Sequence, residues 1–358
     1  MSLAHYRTLG RSGLKVSPLC LGAMTFGEEY GIGSDAASST QVLQRYLELG
    51  GNFVDTANLY NGGHSERIIG DFIAANPAQR RRLIIATKFS ANMHPGDPNT
   101  GGASRKAIIN ACEESLRRLK TDYIDLYWKH WVDAYTPIEE TMQALDDLVR
   151  CGKVRYIGFS DTPAWRVAQA QMCALARGWA PLIALQIEYS LLQRTVEGEL
   201  IPMALEFGLG VTPWAPLRSG FLTGKYSRTQ AVAESTGRAP WIARNANAVG
   251  FRVVDKLKEI AASVGASPAR CAIAWLCGKP GVVSPIIGAR TLAQLDENVG
   301  GLDVHLSAAH VAALDDVSVP TLNFPAEMLK FAVLTSYGGM TINGNQLGPS
   351  PFEDRQKK

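Results

Sequence analysis

Asn52-Phe53-Val54-Asp55-Thr56-Ala57-Asn58-Leu59-Tyr60-Asn61-Gly62-Gly63-His64-Ser65-Glu66 carries a short apolar run that stops at an aspartate. Five residues later comes a tyrosine, in a polar, Gly-rich stretch. A charge at the end of a buried strand, followed by a loop, is where alternating β/α proteins place their chemistry. Alone, the pair reads more readily as an Asp capping the next turn and a Tyr packed beside it. The same arrangement recurs downstream, and the recurrence settles the fold class.

Working outward, apolar runs without alternation appear at Leu19–Leu21, Phe53–Val54, Leu83–Ala86, Ile124–Tyr127, Val154–Phe159, Leu182–Leu185, Gly210–Thr212 and Val282–Pro285. Stretches with helical periodicity fall between them: Asp35–Leu49, Ser65–Ala74, Ser104–Leu119, Pro137–Arg150, Pro163–Arg177 and Leu200–Phe207. Gly250–Val264 and Pro268–Cys277 both precede the eighth run, so one is an extra helix; Thr291–Val299 and Ser307–Asp316 follow it. Non-alternating Ile/Leu/Val strands indicate a parallel sheet covered on both faces. Eight such units predict an α/β fold, a (β/α)8 TIM barrel with an N-terminal β-hairpin at residues 6–17 and extra helices. Residues 1–358 read as one domain, with a barrel core over about 18–318 and a tail, 319–358, that lines the pocket or is partly mobile, its end from Gly344 mobile. Phe89–Gly102 and Pro216–Val249 break the rhythm after strand ends and read as pocket walls or lids.

Composition narrows the function classes. Hydrophobic residues are 46% of the 358 and charged residues 19%, which supplies a large core. Net charge is +3 with signs mixed, giving no reason to expect nucleic acid or an anionic membrane as partner. No stretch approaches the ~20 apolar residues of a membrane helix, and Met1 to Gly22 lacks a signal-peptide apolar region. Six scattered cysteines without C-x-x-C spacing read as reduced thiols of a cytoplasmic protein. No His/Cys/carboxylate grouping has metal-ligand spacing, so no metal is expected. Neither a phosphate-binding P-loop nor a Rossmann glycine fingerprint is present.

The strand ends carry the chemistry. They finish at Asp55, Lys88, Lys129-His130, Ser160-Asp161, Gln186, Pro213-Trp214 and Gly288-Ala289-Arg290. In a parallel barrel these ends meet around one opening. Taken singly, Lys88 could form a structural ion pair, His130 could be a satisfied core histidine, and Gln186 could cap a helix. Together they suggest more. A buried lysine needs a partner, and Asp55 is the candidate. A tyrosine is a poor acid at neutral pH, with an ordinary pKa of about 10; a nearby ammonium is expected to lower it. Asp55, Tyr60, Lys88 and His130 thus supply an acid, its tuner, an anchor and an orienting donor, a set suited to protonating a carbonyl oxygen while hydride arrives at carbon. The hydride has to come from a cofactor.

This set, in this order, resembles the aldo-keto reductase superfamily, in the branch of bacterial aryl-alcohol dehydrogenase-like and potassium-channel β-subunit-like members. The matching stretches are Asn52–Glu66, Ile84–Lys88 (IIATK), Ser115–His130 (SLRRLKTDYIDLYWKH), Gly152–Asp161 (GKVRYIGFSD), Gln186–Ser190 (QIEYS), Trp214–Tyr226 (WAPLRSGFLTGKY) and Pro285–Asn298 (PIIGARTLAQLDEN). The resemblance implies NADP(H) bound in extended form, Tyr60 as general acid, and Asp55, Lys88 and His130 completing a tetrad. It implies Ser160, Asp161 and Gln186 at the nicotinamide carboxamide and Trp214 stacked on the ring. Ala215, Leu217, Ser219, Gly220 and Lys225 fall in the loop over the pyrophosphate. Gly288, Arg290, Gln294, Glu297 and Asn298 fall at the adenosine 2′-phosphate and adenine, and Gly22, Ala23 and Met24 at the nicotinamide ribose. An Arg fork at Arg290 suits a phosphate, which favours NADPH. Phe26 and Trp131 are expected to wall the pocket of a small carbonyl substrate. Many members carry Asn where this chain has Asp161, and an ionised Asp only accepts hydrogen bonds.

The expected activity is reduction of aldehydes or ketones to alcohols. The competing reading is a regulatory subunit that binds cofactor with little turnover. A barrel hydrolase is set aside for want of a metal site or paired catalytic carboxylates. Substrate identity, reaction direction and oligomeric state are not legible.

Overall fold

The computed structural model describes residues 2–228 and 239–352. Eight parallel strands form its centre: β1 (Cys20–Gly22), β2 (Phe53–Asp55), β3 (Ile84–Phe89), β4 (Ile124–Lys129), β5 (Val154–Ser160), β6 (Leu182–Glu188), β7 (Gly210–Trp214) and β8 (Ile286–Gly288). Hydrogen bonding runs in the order β8-β1-β2-β3-β4-β5-β6-β7. The ring closes where Val211 N donates to Gly281 O and Val283 N to Val211 O, both at 2.9 Å. This is the expected (β/α)8 barrel.

The eighth strand lies later than expected. Val282 and Val283 bridge to β7, and Pro285 has no N–H to give a ladder. Pro285 O accepts from Cys20 N at 2.9 Å, and β8 proper begins one residue on.

The α-helices longer than five residues are α1 (Ala36–Glu48), α2 (His64–Ala75), α3 (Arg105–Leu119), α4 (Ile138–Arg150), α5 (Ala164–Arg177), α6 (Leu200–Phe207), α7 (Ala248–Ser263), α8 (Pro268–Cys277), α9 (Leu292–Val299), α10 (Ala308–Val317) and α11 (Leu329–Tyr337). Several start one residue later than the periodicity suggests, because Asp35, Ser104, Thr291 and Ser307 are caps. Each accepts the backbone N–H three residues on, satisfying a donor that the helix itself leaves orphaned. Among the described residues no single helix is long and apolar enough to cross a membrane.

The core has two parts. One fills the space between strands and helices; the other, including Cys20, Phe53, Ala86, Leu126, Trp128 and Ala184, fills the barrel. The N-terminal hairpin, Arg7–Thr8 paired with Lys15–Val16, joins the barrel interior through Leu9 and Val16. Its turn fits against β6 and β7 because Gly10 adopts φ +60, where a Cβ would lie 2.2 Å from Ile183 O. The hairpin therefore stoppers the N-terminal mouth and leaves the C-terminal mouth open.

The tail departs from expectation. It contains α11 and a hairpin, Thr341–Ile342 with Asn345–Gln346, so part of the segment expected to be mobile is structured; residues 353–358 lie outside the described residues. Of the expected lid at 216–249, residues 229–238 also lie outside them.

Candidate active site

Asp55 ends β2, Lys88 sits in β3, and Gln186 sits in β6. Barrel closure turns all three inward at the open mouth. Lys88 Nζ donates to Asp55 Oδ2, to Thr56 O at 2.9 Å and to Tyr60 Oη at 3.2 Å. Gln186 Nε2 donates to Asp55 Oδ1 at 3.0 Å, so both carboxylate oxygens are engaged. Lys88 is fully buried and Asp55 nearly so.

Tyr60 opens a tight turn, Tyr60–Gly63, in which Asn61 (φ 50) and Gly62 (φ 61) are left-handed. The turn folds the phenol back over the ammonium, 4.8 Å from Lys88 Nζ to the ring centroid. Asn61 locks the turn by donating to Met24 O (3.1 Å) and Phe26 O (2.8 Å). Sequence reading missed Asn61; the available signal was an Asn-Gly-Gly run directly after the tyrosine, since Asn tolerates positive φ better than most residues. His130 follows β4, its ring 5.9 Å from that of Tyr60 and nearly perpendicular to it. Trp131 stacks on His130 at 4.3 Å and remains 38% exposed, at the rim.

The charges differ in one respect from expectation. Burial opposes the Lys88 charge, but Asp55 outweighs it and raises the ammonium to about 12. Burial, helped by Lys88, drives His130 down to about 2, so the imidazole is neutral at ordinary pH. Its Nδ1 is buried with no hydrogen-bond partner among the described residues. Tyr60 was expected to be more acidic than a free phenol. Its pKa is instead raised: burial dominates, Lys88 lowers it by less, and Asp55 adds to the rise. The phenol therefore keeps its proton at neutral pH, and the ammonium moderates a penalty it does not reverse.

Ser160, Asp161, Gln186 and Trp214 form one wall. Trp214 Nε1 donates to Asp161 Oδ1 at 3.0 Å, with Asp161 held at φ +39. Desolvation is the largest influence on Asp161 and pushes its carboxyl up to about 6, against the opposing pull of Trp214 and Lys88. Ser160 Oγ is buried and has no hydrogen-bond partner among the described residues.

The loop after β7 is wound through four consecutive or near-consecutive positive-φ residues: Ala215, Arg218, Ser219 and Gly220. Leu217 O accepts from Gly220 N at 2.9 Å, and Lys225 Nζ lies 3.8 Å from where a Gly220 Cβ would be. Arg218 anchors the loop through Glu188 and through Asn245 at 3.1 Å.

After β8, Gly288 faces open space, and Asn298 Nδ2 holds its carbonyl at 3.1 Å. Gln294 Oε1 accepts from Arg290 N at 2.9 Å, with Arg290 exposed. Glu297 is turned toward α8, engaged by Ser267 and by Arg270 at 3.0 Å. Gly22 packs where a Cβ would meet Ile286 Cγ2 at 2.7 Å. Ala23 is fully buried with its N–H bound to Asp55 O at 2.8 Å, and Met24 is half-buried. Phe26 is a correction. It is fully buried in the core between strands and helices, and offers no surface to a substrate.

A buried Asp–Lys pair bonded to a half-buried Tyr, with a neutral histidine, at the mouth of a (β/α)8 barrel coincides with a match to the aldo/keto reductase family profile over residues 18–319. The chain belongs to the aldo/keto reductase family. The uncharacterized oxidoreductase YrpG of Bacillus subtilis is 36% identical over 87% of this chain and 95% of its own length. An aryl-alcohol dehydrogenase [NADP(+)] of Phanerodontia chrysosporium is 34% identical, covering 90% and 88%. A probable voltage-gated potassium channel subunit beta of Oryza sativa is 37% identical, covering 84% and 92%. As an aldo/keto reductase the chain is an oxidoreductase of a family that reduces carbonyls and generally uses NAD(P)H.

Proposed function

We propose that this protein reduces aldehydes or ketones to alcohols with NADPH, and that Tyr60 is the general acid. The observation that carries this is the chain Asp55–Lys88–Tyr60, buried at the carboxylate and ammonium and half-buried at the phenol, with the phenol protonated and the ammonium charged at neutral pH. A protonated phenol is the form an acid has to hold before transfer. As the carbonyl oxygen gains charge, Tyr60 Oη gives up its proton, and the nearby ammonium stabilises the phenolate left behind. Neutral His130 can donate one hydrogen bond to the same oxygen and fix the carbonyl's orientation. Asp55 and Gln186 hold the lysine in place.

The residues present fit a nicotinamide nucleotide. The orphaned Ser160 hydroxyl and the Asp161–Trp214 pair offer polar contacts and an aromatic face for a carboxamide-bearing ring. Exposed Arg290 beside Gly288 offers a fork for a phosphate. When bound, that cofactor supplies the hydride. The stacked His130–Trp131 rim favours an uncharged, aromatic or aliphatic carbonyl.

The test is NADPH oxidation across a panel of aldehydes and ketones. Turnover in the wild type, with a loss of ~10²–10⁴-fold in Tyr60→Phe, is expected. Retained turnover in that variant would sink the assignment of the acid. A cofactor-binding subunit with little turnover is not favoured, since all four side chains of the tetrad are present and three are hydrogen-bonded together.

A further inference from the structure

The last described stretch, Val319–Phe352, does not behave as a solvated tail. Its 34 residues contain only two charged side chains, Glu327 and Lys330, in a chain that is 19% charged. Disordered segments are the opposite, poor in apolar residues and rich in charge. This one folds on itself. Gly339 N donates to Gly348 O at 2.8 Å, and Leu347 N to Met340 O at 2.9 Å. Phe331 meets Phe352 edge to face at 6.2 Å. The module is tethered beside α6: Leu322 and Ala326 lie against Gly198, and Arg194 donates to Asp315 O and Ser318 Oγ, both at 2.8 Å.

Beyond the tether its apolar side chains are left outside. Among the described side chains of α11 none is buried. Phe324 is 76% exposed, and Phe331, Tyr337, Met328, Met340 and Ile342 are all exposed. With their aliphatic neighbours they present on the order of 800 Å² of apolar surface, taking ~150–200 Å² per whole side chain. A monomer's largest apolar patch is usually ~300–600 Å², and one side of a standard stable interface is ~800 Å².

The barrel carries a second uncovered apolar face. Trp165, Met172 and Leu175 of α5 are spaced seven and three apart, so they share one side of the helix, and all are exposed. Helix α6 packs beside α5 and exposes a further apolar side chain, Leu205, next to Gly281. Both surfaces therefore flank the same edge of the barrel. Neither covers the other within one chain, and a two-fold pairing would let each cover the other's counterpart.

We propose that the C-terminal module is a dimerisation arm, docking from each protomer onto the α5–α6 face of a second copy of this chain. The free energy comes from removing both apolar surfaces from water. The contact uses none of the tetrad, so it stands apart from the catalytic reading.

Sedimentation equilibrium of the full chain at micromolar loading tests it. The wild type is expected at twice the chain mass. Tyr337→Glu in the arm and Met172→Glu in the face are each expected to raise the dimer dissociation constant ~100-fold, as loss of an interface hot spot does. Both sites are exposed, so far-UV circular dichroism should be unchanged; Met340→Glu on the hairpin replaces Tyr337→Glu if the helix is lost. Mixing the two variants is expected to restore a dimer weaker than wild type and tighter than either alone, because one arm and one face remain intact. A monomeric wild type, a dimer indifferent to both variants, or a monomer that co-sediments with phosphatidylcholine vesicles would overturn the proposal.

Discussion

Two lysines sit at the ends of neighbouring strands and have opposite fates. Lys88 in β3 and Lys129 in β4 are one register step apart, Lys88 opposite Trp128 and Phe89 opposite Lys129. Both are buried. Lys88 points into the barrel, meets Asp55 and is raised to about 12. Lys129 points outward, with Nζ 4.4 Å from the centre of the Phe159 ring. Among the described residues no carboxylate lies within ion-pairing distance of it. Burial, with Arg166 adding to it, lowers Lys129 to about 8, and Asp133 is too distant to compensate. A buried ammonium is kept or shed according to its partner, and strand parity decides the partner.

That contrast can be broken from either side. Lys88→Met should leave Asp55 buried without its counter-charge. It is expected to cost about 3–5 kcal/mol in urea unfolding, together with the loss of turnover expected of Tyr60→Phe. Survival with full stability would mean that Asp55 is not an ionised partner.

Lys129→Met should do the reverse and stabilise. The folded pKa of Lys129 lies below its ordinary value of 10.5, so between about pH 8 and 10.5 the unfolded chain binds more protons and stability rises with pH. The variant's gain is therefore expected to be fullest below pH 8, about 2–3 kcal/mol, and to fade by pH 10.5. A gain independent of pH would point to packing alone.

For Lys88 the sign is opposite. Its raised pKa gives stability that is complete below about pH 10.5 and is lost as pH climbs through about 12. Alkaline unfolding of wild type should accordingly steepen there, and the steepening should vanish in Lys88→Met.

Asp161→Asn sharpens the comparison with the smallest effect. The native carboxyl titrates near 6, above its ordinary 3.8. The folded chain thus binds the extra proton in between, and stability falls as pH rises through that window. Because Asp161 opens onto the cleft, screening holds the gain from Asn below ~1 kcal/mol at pH 7. The Trp214 hydrogen bond should survive, since an amide oxygen still accepts. Thermal melts at pH 4 and pH 7 read the difference.

The barrel was legible because its strands announce themselves as unbroken apolar runs capped by polar residues, and Asp55, Lys88 and His130 could be placed at one mouth because each stands at or just past such an end, with Tyr60 in the loop that follows Asp55. What escaped depends on which way a side chain faces and how deeply it sinks. Tyr60 was expected to turn acidic because the ammonium was visible in the sequence and the burial was not. Phe26 lies two residues past the Gly22–Met24 turn, near enough to the mouth in sequence, yet the chain bends it into the core. Lys129 stood next to His130 and gave no hint that it faces away from the site. α11 escaped because its outward face is as apolar as any other, so no periodicity marks it.

The Leu9–Val16 stopper at the far mouth has a kinetic corollary. A vessel with one door imposes an order on its traffic: whatever lodges at the bottom has to arrive before the rim is filled and can depart only after the rim has emptied. Initial-rate patterns should therefore show compulsory sequence, the deeper of the two ligands first in and last out.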